Sequence, residues 1–98
     1  VVVNAAPIAN AGDDQVVGSR DRVYLDGSAS SDSDGNIVSY RWTQVSGRSR
    51  TINNADEAVA NFRAPRLRRG RTYTLVFELE VIDDQGAIST DQVTVEVR

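Results

Sequence analysis

The stretch TYTLVFELEVIDDQGAISTDQVTVEVR, residues 72–98, decides the fold class. It alternates apolar and polar residues twice, first over residues 73–81 and again over residues 93–98. Because successive side chains of a β-strand point to opposite faces, each half predicts a strand with one buried face. DDQG, residues 83–86, separates the halves, with Asp at the first and Gly at the fourth position of a turn. The stretch therefore predicts an antiparallel hairpin.

Further short strands are predicted along the rest of the chain. In RVYLDG, residues 22–27, Val23 and Leu25 face inward, and IVSYRWTQV, residues 37–45, is rich in β-branched and aromatic residues. DQVVG, RTINN and EAVANF predict shorter strands, and APIANAG an edge strand, since Pro7 lacks an amide hydrogen for a ladder. Nothing repeats with a helical period beyond a turn or two. About seven short strands predict an all-β, Ig-like β-sandwich of two antiparallel sheets.

The aromatic residues are few, and the single tryptophan is Trp42. Immunoglobulin domains proper pack a tryptophan against a disulfide, but this chain contains no cysteine. We expect Trp42 to pack between the sheets, the alternative being an exposed platform on which a sugar stacks. For Tyr24 and Tyr40 we expect the sheet surface or the rim of the core, the alternative being a ligand-facing position.

Length and composition predict one domain and exclude several kinds of chemistry. The 98 residues suit a single domain over residues 1–98, with residues 1–6 as a linker to a preceding domain. Because the first residue is not Met, we expect a module of a longer polypeptide or a processed product. Absence of Cys and His excludes most zinc sites, the Cys-His nucleophile and the Ser-His-Asp triad. No apolar run approaches the about 18 residues of a membrane-spanning helix, so we expect no membrane insertion.

Four segments together resemble the polycystic kidney disease (PKD) domain family. They are PIANAGDDQVV, VYLDGSASSDSDGNIVSYRWTQVSG, NFRAP and LVFELEVIDDQGAISTDQVTVEV, which run from Pro7 to Val97. The most specific pieces are DGSxSxDxDGxIxxYxW at residues 26–42 and LxVxDxxG at residues 79–86. The family's common WDFGDG continuation is missing, since TQVSG follows Trp42.

The resemblance implies an Ig-like sandwich that serves as a non-catalytic module of secreted or cell-surface proteins. Such modules space catalytic or adhesive partners, and some assist binding of polymeric substrates or mediate protein contacts. Some members from secreted proteases bind Ca²⁺. We therefore expect a monomeric structural spacer within a larger multidomain protein, whose partners are its neighbouring domains.

The loop LDGSASSDSDGNI, residues 25–37, has two interpretations. Ser30, Asp32, Asp34 and Gly35 match positions 1, 3, 5 and 6 of an EF-hand calcium loop, but position 12 is Arg41 where a Glu is needed. The loop is therefore not an EF-hand. Asp, Ser and Gly are also the residues that ordinary turns use, because Asp and Ser bond their own backbone.

Sandwich topology offers a different set of cation ligands. It places the loop that joins the RVYLDG strand to the IVSYRWTQV strand at the same end as the DDQG turn. Asp83 should therefore approach Asp32 and Asp34. The first strand begins at that end too, so Asn4 adds a side-chain oxygen. The family resemblance points to the same quartet. Oxygen donors without imidazole or thiolate favour Ca²⁺.

A catalytic interpretation of these carboxylates is weaker. Asp83 and Asp84 form an acid pair that Asp32 or Asp34 opposes, as in a glycosidase. That chemistry needs a deep substrate cleft, for which a 98-residue sandwich has little material. We therefore expect no enzymatic activity.

A run of arginines carries the second functional hypothesis. Arg63, Arg66, Arg68, Arg69 and Arg71 fall within nine residues that contain no acid. The run is either a solvated loop or a contact for phosphate or sulfated glycan. No aromatic residues are interleaved for base stacking, so we expect no nucleic acid partner.

The alternative function is therefore a glycan- or protein-binding adhesion module. It uses either the Arg63–Arg71 segment or the exposed strand face that bears Thr74, Val76, Glu78 and Glu80. A concave patch with exposed aromatic residues would favour this function over that of a spacer.

Overall fold

The computed structural model describes residues 6–33 and 35–98, and this part of the chain is all-β. Its strands are β1 (Gln15–Val17), β2 (Arg22–Asp26), β3 (Ile37–Ser46), β4 (Val59–Arg63), β5 (Tyr73–Asp83) and β6 (Ile88–Val97). The predicted Ig-like all-β class is confirmed. The described residues form six strands instead of about seven.

The strands form two sheets that face each other across the core. The larger sheet has the order β1-β6-β5-β3, and the smaller one pairs β2 with β4. All neighbours are antiparallel except β1 and β6, which run parallel. The predicted hairpin is β5 and β6, and its turn closes with the amide of Gly86 donating to the Asp83 carbonyl at 3.2 Å. Gly86 has a φ of 87°, which glycine adopts without strain.

The core is built from the alternating inward positions of the strands. The fully buried side chains include Leu75, Phe77, Leu79 and Val81 of β5 and Val93, Val95 and Val97 of β6, as the alternation predicts. The ring centroids of Phe62 and Phe77 lie 4.6 Å apart across the two sheets. Trp42 is 3 % exposed, and its indole nitrogen donates to the Glu57 carbonyl at 3.2 Å. Its predicted core position is confirmed, and Tyr24 lies on the sheet surface.

Two predicted strands are reduced to single bridges. RTINN contributes only Asn53, which pairs with Asn61, because Asn54 has a left-handed φ of 59° that turns the chain. APIANAG contributes Ile8, which pairs with Ser31. These segments make too few ladder hydrogen bonds to count as strands, which accounts for the lower number.

The polypeptide enters the described domain at one end and leaves it at the other. At the entry, Ile8 pairs with Ser31 in the loop before β3, and the Ser89 hydroxyl donates to the Pro7 carbonyl. At the exit, the amide of Arg98 donates to the Val17 carbonyl. The radius of gyration is 14.9 Å, and the principal extents are 59 × 18 × 17 Å. A compact domain of this length has a radius of about 13 Å, so the body is elongated.

The described part of the chain contains no apolar helix of the length that crossing a membrane requires. We call the entry side, with the turn after β5, the acidic end. The exit side, with the loop between β4 and β5, is the arginine end.

Candidate metal site at the acidic end

Strand register brings the loop before β3 against the turn after β5. β3 and β5 are antiparallel, and Ile37, the first residue of β3, lies opposite Asp83, the last residue of β5. The amide of Asp84 continues the pairing by donating to the Asn36 carbonyl at 3.0 Å. Two segments about 50 residues apart in sequence thus meet at one end, as the topology argument predicts.

Three aspartates converge there, and we call them the acidic cluster: Asp32, Asp83 and Asp84. One carboxylate oxygen from each lies within 4.8 Å of the other two. Asp83 is buried, Asp32 is half-buried and Asp84 is exposed, so the cluster opens outward from the end of the sandwich. The predicted approach of Asp83 to Asp32 is therefore present in the structure.

Asp83 is held in a fixed orientation by its own turn. It ends the inward-facing series of β5, and its side chain is only 1 % exposed. Its Oδ1 accepts hydrogen bonds from the amides of Gln85 at 2.9 Å and Ala87 at 2.8 Å. Such bonds satisfy part of a buried carboxylate's need for donors. They also position the carboxyl group before any ligand binds.

Asp84 reaches the cluster because Gly35 has no side chain to occupy the space that the Asp84 carboxylate fills. Asp84 Oδ1 accepts a long hydrogen bond of 3.4 Å from the amide of Asn36. A Cβ atom at position 35 would collide with this same oxygen. Glycine therefore admits Asp84 in this position, and a larger residue at position 35 would force the Asp84 carboxylate to move. The sequence places Asp84 near Asp32 only in the catalytic interpretation, and the predicted set of cation ligands does not include it.

Two members of the predicted quartet, Asn4 and Asp34, lie outside the described residues. Two other polar residues of the same loop form hydrogen bonds that hold the loop in shape. The Ser30 hydroxyl accepts a hydrogen bond from the amide of Asn10 at 2.9 Å, which ties the entering segment to the loop. The Asp26 carboxylate accepts bonds from the Ser28 hydroxyl and the Ser28 amide, which lower the pKa of Asp26 below its ordinary value. Part of the loop therefore has the ordinary turn chemistry described above.

The donor set of the acidic cluster fits a hard divalent cation. All three side chains offer carboxylate oxygens, and Ca²⁺ takes six to eight oxygen ligands at about 2.3–2.6 Å. Three carboxylates leave room for backbone carbonyls and water to complete the shell. Zn²⁺ and copper prefer nitrogen or sulfur donors, and the chain has no His or Cys to supply them. The residues present therefore suit Ca²⁺ best.

Comparison with known families agrees with this architecture. The family model described as K319L-like, PKD domain, matches residues 11–97. The chain belongs to the K319L-like PKD domain family. The resemblance noted from the sequence is thereby confirmed.

Relatives of this PKD domain are far longer than the domain itself. The rat dyslexia-associated protein KIAA0319 homolog is 42 % identical over 97 residues, and the human dyslexia-associated protein KIAA0319 is 40 % identical over 97 residues. These matches cover 97 % of this chain but 8 % of each relative. The matched region is thus one small part of a large protein.

Solved structures give the same fold. The PKD domain from the KIAA 1837 protein superposes with a TM-score of 0.79 and is 32 % identical, over 100 % of this chain and 92 % of that one. The PKD1 domain of Vibrio anguillarum Epp gives a TM-score of 0.62 at 25 % identity, over 98 % of each chain. Any function proposed for this chain must therefore be compatible with the Ig-like fold of a PKD domain.

Proposed function

We propose that this PKD domain is a non-catalytic extracellular spacer in a larger multidomain protein, and that Ca²⁺ stiffens its N-terminal end. The observation that carries the spacer role is the placement of the entry and exit at opposite ends of an elongated sandwich. A domain built this way adds its full length between its neighbours. Its partners are then the adjoining domains of the same polypeptide, and the domain itself is monomeric.

The relatives support a place within a larger multidomain protein, and the fold agrees with an extracellular setting. The matches to KIAA0319 proteins span only 8 % of each relative, which leaves most of the length for other domains. Ig-like sandwiches are common in cell-surface proteins, so secretion or surface display agrees with the fold.

The calcium component rests on where the acidic cluster lies. Asp32 belongs to the loop that pairs with the entering segment through Ser31 and Ile8, whereas Asp83 and Asp84 belong to the β5–β6 turn. An ion bound between these segments links the entering segment, the loop before β3 and the β5–β6 turn. When bound, Ca²⁺ supplies positive charge that offsets the repulsion among the carboxylates. The proposed ligands are Asn4, Asp32, Asp34 and Asp83, to which the geometry adds Asp84.

Thermal unfolding in Ca²⁺ and in EDTA tests the calcium component. Extracellular calcium modules have dissociation constants of about 10⁻⁴–10⁻³ M. At about 5 mM CaCl₂, such a site stabilises the folded state by about 1–2 kcal/mol. For a domain of this size the corresponding rise in Tm is about 4–16 °C. Coincident melting curves in CaCl₂, MgCl₂ and EDTA would exclude the ion.

Small-angle scattering tests the spacer role. The sample is the domain joined to the domain that precedes it in its own polypeptide. A stiffened joint predicts a larger radius of gyration in CaCl₂ than in EDTA, together with a pair-distance distribution that has two resolved maxima. A compact, folded-back pair with overlapping maxima in both solutions would contradict a spacer.

A further inference from the structure

The arginine end carries two adjoining concavities whose linings are rich in guanidinium groups. The larger one has a volume of about 570 Å³, and five of its lining residues are Arg48, Arg50, Arg66, Arg68 and Arg69. The second, of about 340 Å³, has Arg22, Arg50 and Arg63 in its lining. Arg50 borders both, and neither lining contains an Asp or Glu. We call the combined surface the arginine groove.

The groove is assembled from segments that are distant in sequence. Arg48 and Arg50 follow β3, Arg22 begins β2, and the others end β4 or lie in the loop after it. The sequence run Arg63–Arg71 therefore supplies only part of the surface. Arg48 and Arg50 complete it because β3 ends beside that loop.

Neutral groups hold several of these side chains in place. Arg50 Nε donates to the Arg63 carbonyl at 2.7 Å, and Arg22 donates to the Asn61 side-chain oxygen at 2.8 Å. The Arg48 guanidinium lies 5.3 Å from the centre of the Tyr73 ring, a cation–π contact. These partners orient the arginines without neutralising their charge.

Carboxylate partners are absent from the groove in the described part of the chain. The ion pair found among the described residues joins Arg98 to Glu96 at 3.4 Å, and neither of these residues lines the groove. The acidic cluster lies at the opposite end of the sandwich. The groove therefore combines positive charge, fixed orientation and a concave shape.

We propose that the arginine groove binds a sulfated polysaccharide. Guanidinium groups are always charged, carry five donors in a planar fork and are weakly hydrated, so they pair well with the tetrahedral oxygens of sulfate. A linear polyanion spans two joined concavities and places successive sulfates against successive arginines. The charge separation between the two ends steers such an anion towards the groove.

Other polyanions fit the groove less well. A single-stranded nucleic acid needs aromatic faces for base stacking, but Tyr73 is already covered by Arg48. A protein ligand needs apolar anchor pockets, and the apolar residues in these linings are only Pro65 and Leu67. The surface therefore favours repeated sulfate groups over bases or apolar side chains.

Binding to size-defined heparin oligosaccharides, measured by calorimetry with the whole domain, tests the proposal. We expect affinity to fall steeply with NaCl, because counterions are released when the arginines engage the polyanion. Hyaluronan of equal length carries carboxylates and no sulfate, and we expect it to bind at least about tenfold more weakly. Equal affinity for hyaluronan, or tighter binding of an oligothymidylate of equal charge, would overturn the sulfated-glycan assignment.

Charge-matched variants locate the site. Arg50→Gln and Arg68→Gln each remove one positive charge from the groove, and each should weaken heparin binding about three- to fivefold. Arg41→Gln removes the same charge from the middle of β3, opposite Glu80, and should leave affinity nearly unchanged. Arg68 has no side-chain hydrogen bond among those found in the described structure, so its variant separates binding from folding even if Arg50→Gln melts early. Equal losses in all three variants would place binding elsewhere.

Calcium serves as a final control. The acidic cluster and the arginine groove lie at opposite ends, so heparin affinity should be the same in EDTA and in CaCl₂ when ionic strength is matched. The spacer proposal and the glycan proposal can therefore be tested and refuted independently of each other. Heparin binding that requires Ca²⁺ would contradict the assigned groove.

Discussion

Replacing Asp84 by Asn should stabilise the calcium-free domain and weaken its stabilisation by calcium. Asp84 is the exposed member of the acidic cluster, and one of its oxygens lies within 4.8 Å of oxygens of Asp32 and Asp83. Two unit charges at this distance repel by about 0.9 kcal/mol at the dielectric constant of water and about 3.5 kcal/mol at an effective value of about 20. The exposure of Asp84 and screening by salt favour the lower figure.

Removing this charge should therefore stabilise the calcium-free domain. With two neighbouring carboxylates the gain is about 1 kcal/mol or slightly more, which raises Tm by about 4–8 °C in EDTA. Asn is nearly isosteric and its side-chain oxygen still accepts the long hydrogen bond from the Asn36 amide, so little is lost. In about 5 mM CaCl₂ this advantage should shrink or disappear, because wild type gains about 1–2 kcal/mol from the ion, whereas the variant, which keeps a neutral side-chain oxygen but lacks the carboxylate charge, gains less.

The assay is differential scanning calorimetry of both proteins at constant ionic strength in EDTA and in CaCl₂. Asp56→Asn is the matched control, since it removes the same charge from an exposed turn before β4. It should shift Tm equally in both solutions. A lower Tm for Asp84→Asn in EDTA would show that its carboxylate stabilises the turn, and the repulsion argument would then be wrong. An undiminished calcium response in the variant would remove Asp84 from the ligand set.

The remaining predictions concern folding. Trp42→Ala should lower the free energy of unfolding by about 3–5 kcal/mol, measured by urea denaturation followed by circular dichroism; a loss below about 1 kcal/mol would contradict the core role. Gly47→Ala should cost about 2–4 kcal/mol in the same assay, because Gly47 has a φ of 95° and a Cβ would lie 2.5 Å from the Thr74 carbonyl oxygen. A change under about 1 kcal/mol would mean that the turn relaxes. For Asp26, hydrogen bonds from Ser28 depress the pKa, so its contribution to stability is present above the ordinary value of 3.8 and is lost as pH falls through the lower folded value. The difference in Tm between wild type and Asp26→Ala should therefore shrink from pH 7 towards pH 2, and a constant difference would argue against the linkage.

Local pattern predicted most of the fold because burial repeats with the period of the strand. Leu75, Phe77 and Leu79 alternate with polar or half-buried neighbours, and β5 forms where the alternation indicates. RTINN failed as a strand because its outcome depends on tertiary pairing and on the left-handed backbone of Asn54. A short, mostly polar segment has no hydrophobic periodicity from which a strand could be predicted or excluded.

For the candidate sites, too, topology predicts one part of the arrangement, and side-chain packing and strand ends decide the rest. The approach of Asp83 to Asp32 follows from topology, since sandwich connectivity brings those turns together. The role of Gly35 in admitting Asp84 depends on side-chain packing, although the Asp-Asp pair was a visible signal. The joining of Arg50 to the Arg63–Arg71 segment depends on where β3 ends, and composition alone does not show it.

The parallel pairing of β1 with β6 determines how the domain carries tension. Gln15–Val17 lies beside Val95–Val97, and a pull on the two chain termini drives these strands past each other in opposite directions. Because the hydrogen bonds of a parallel ladder are evenly spaced along both strands, we expect such a load to shear them together and not to open them one at a time. We therefore expect a module loaded in this way to resist sudden stretching more strongly than its equilibrium stability alone implies.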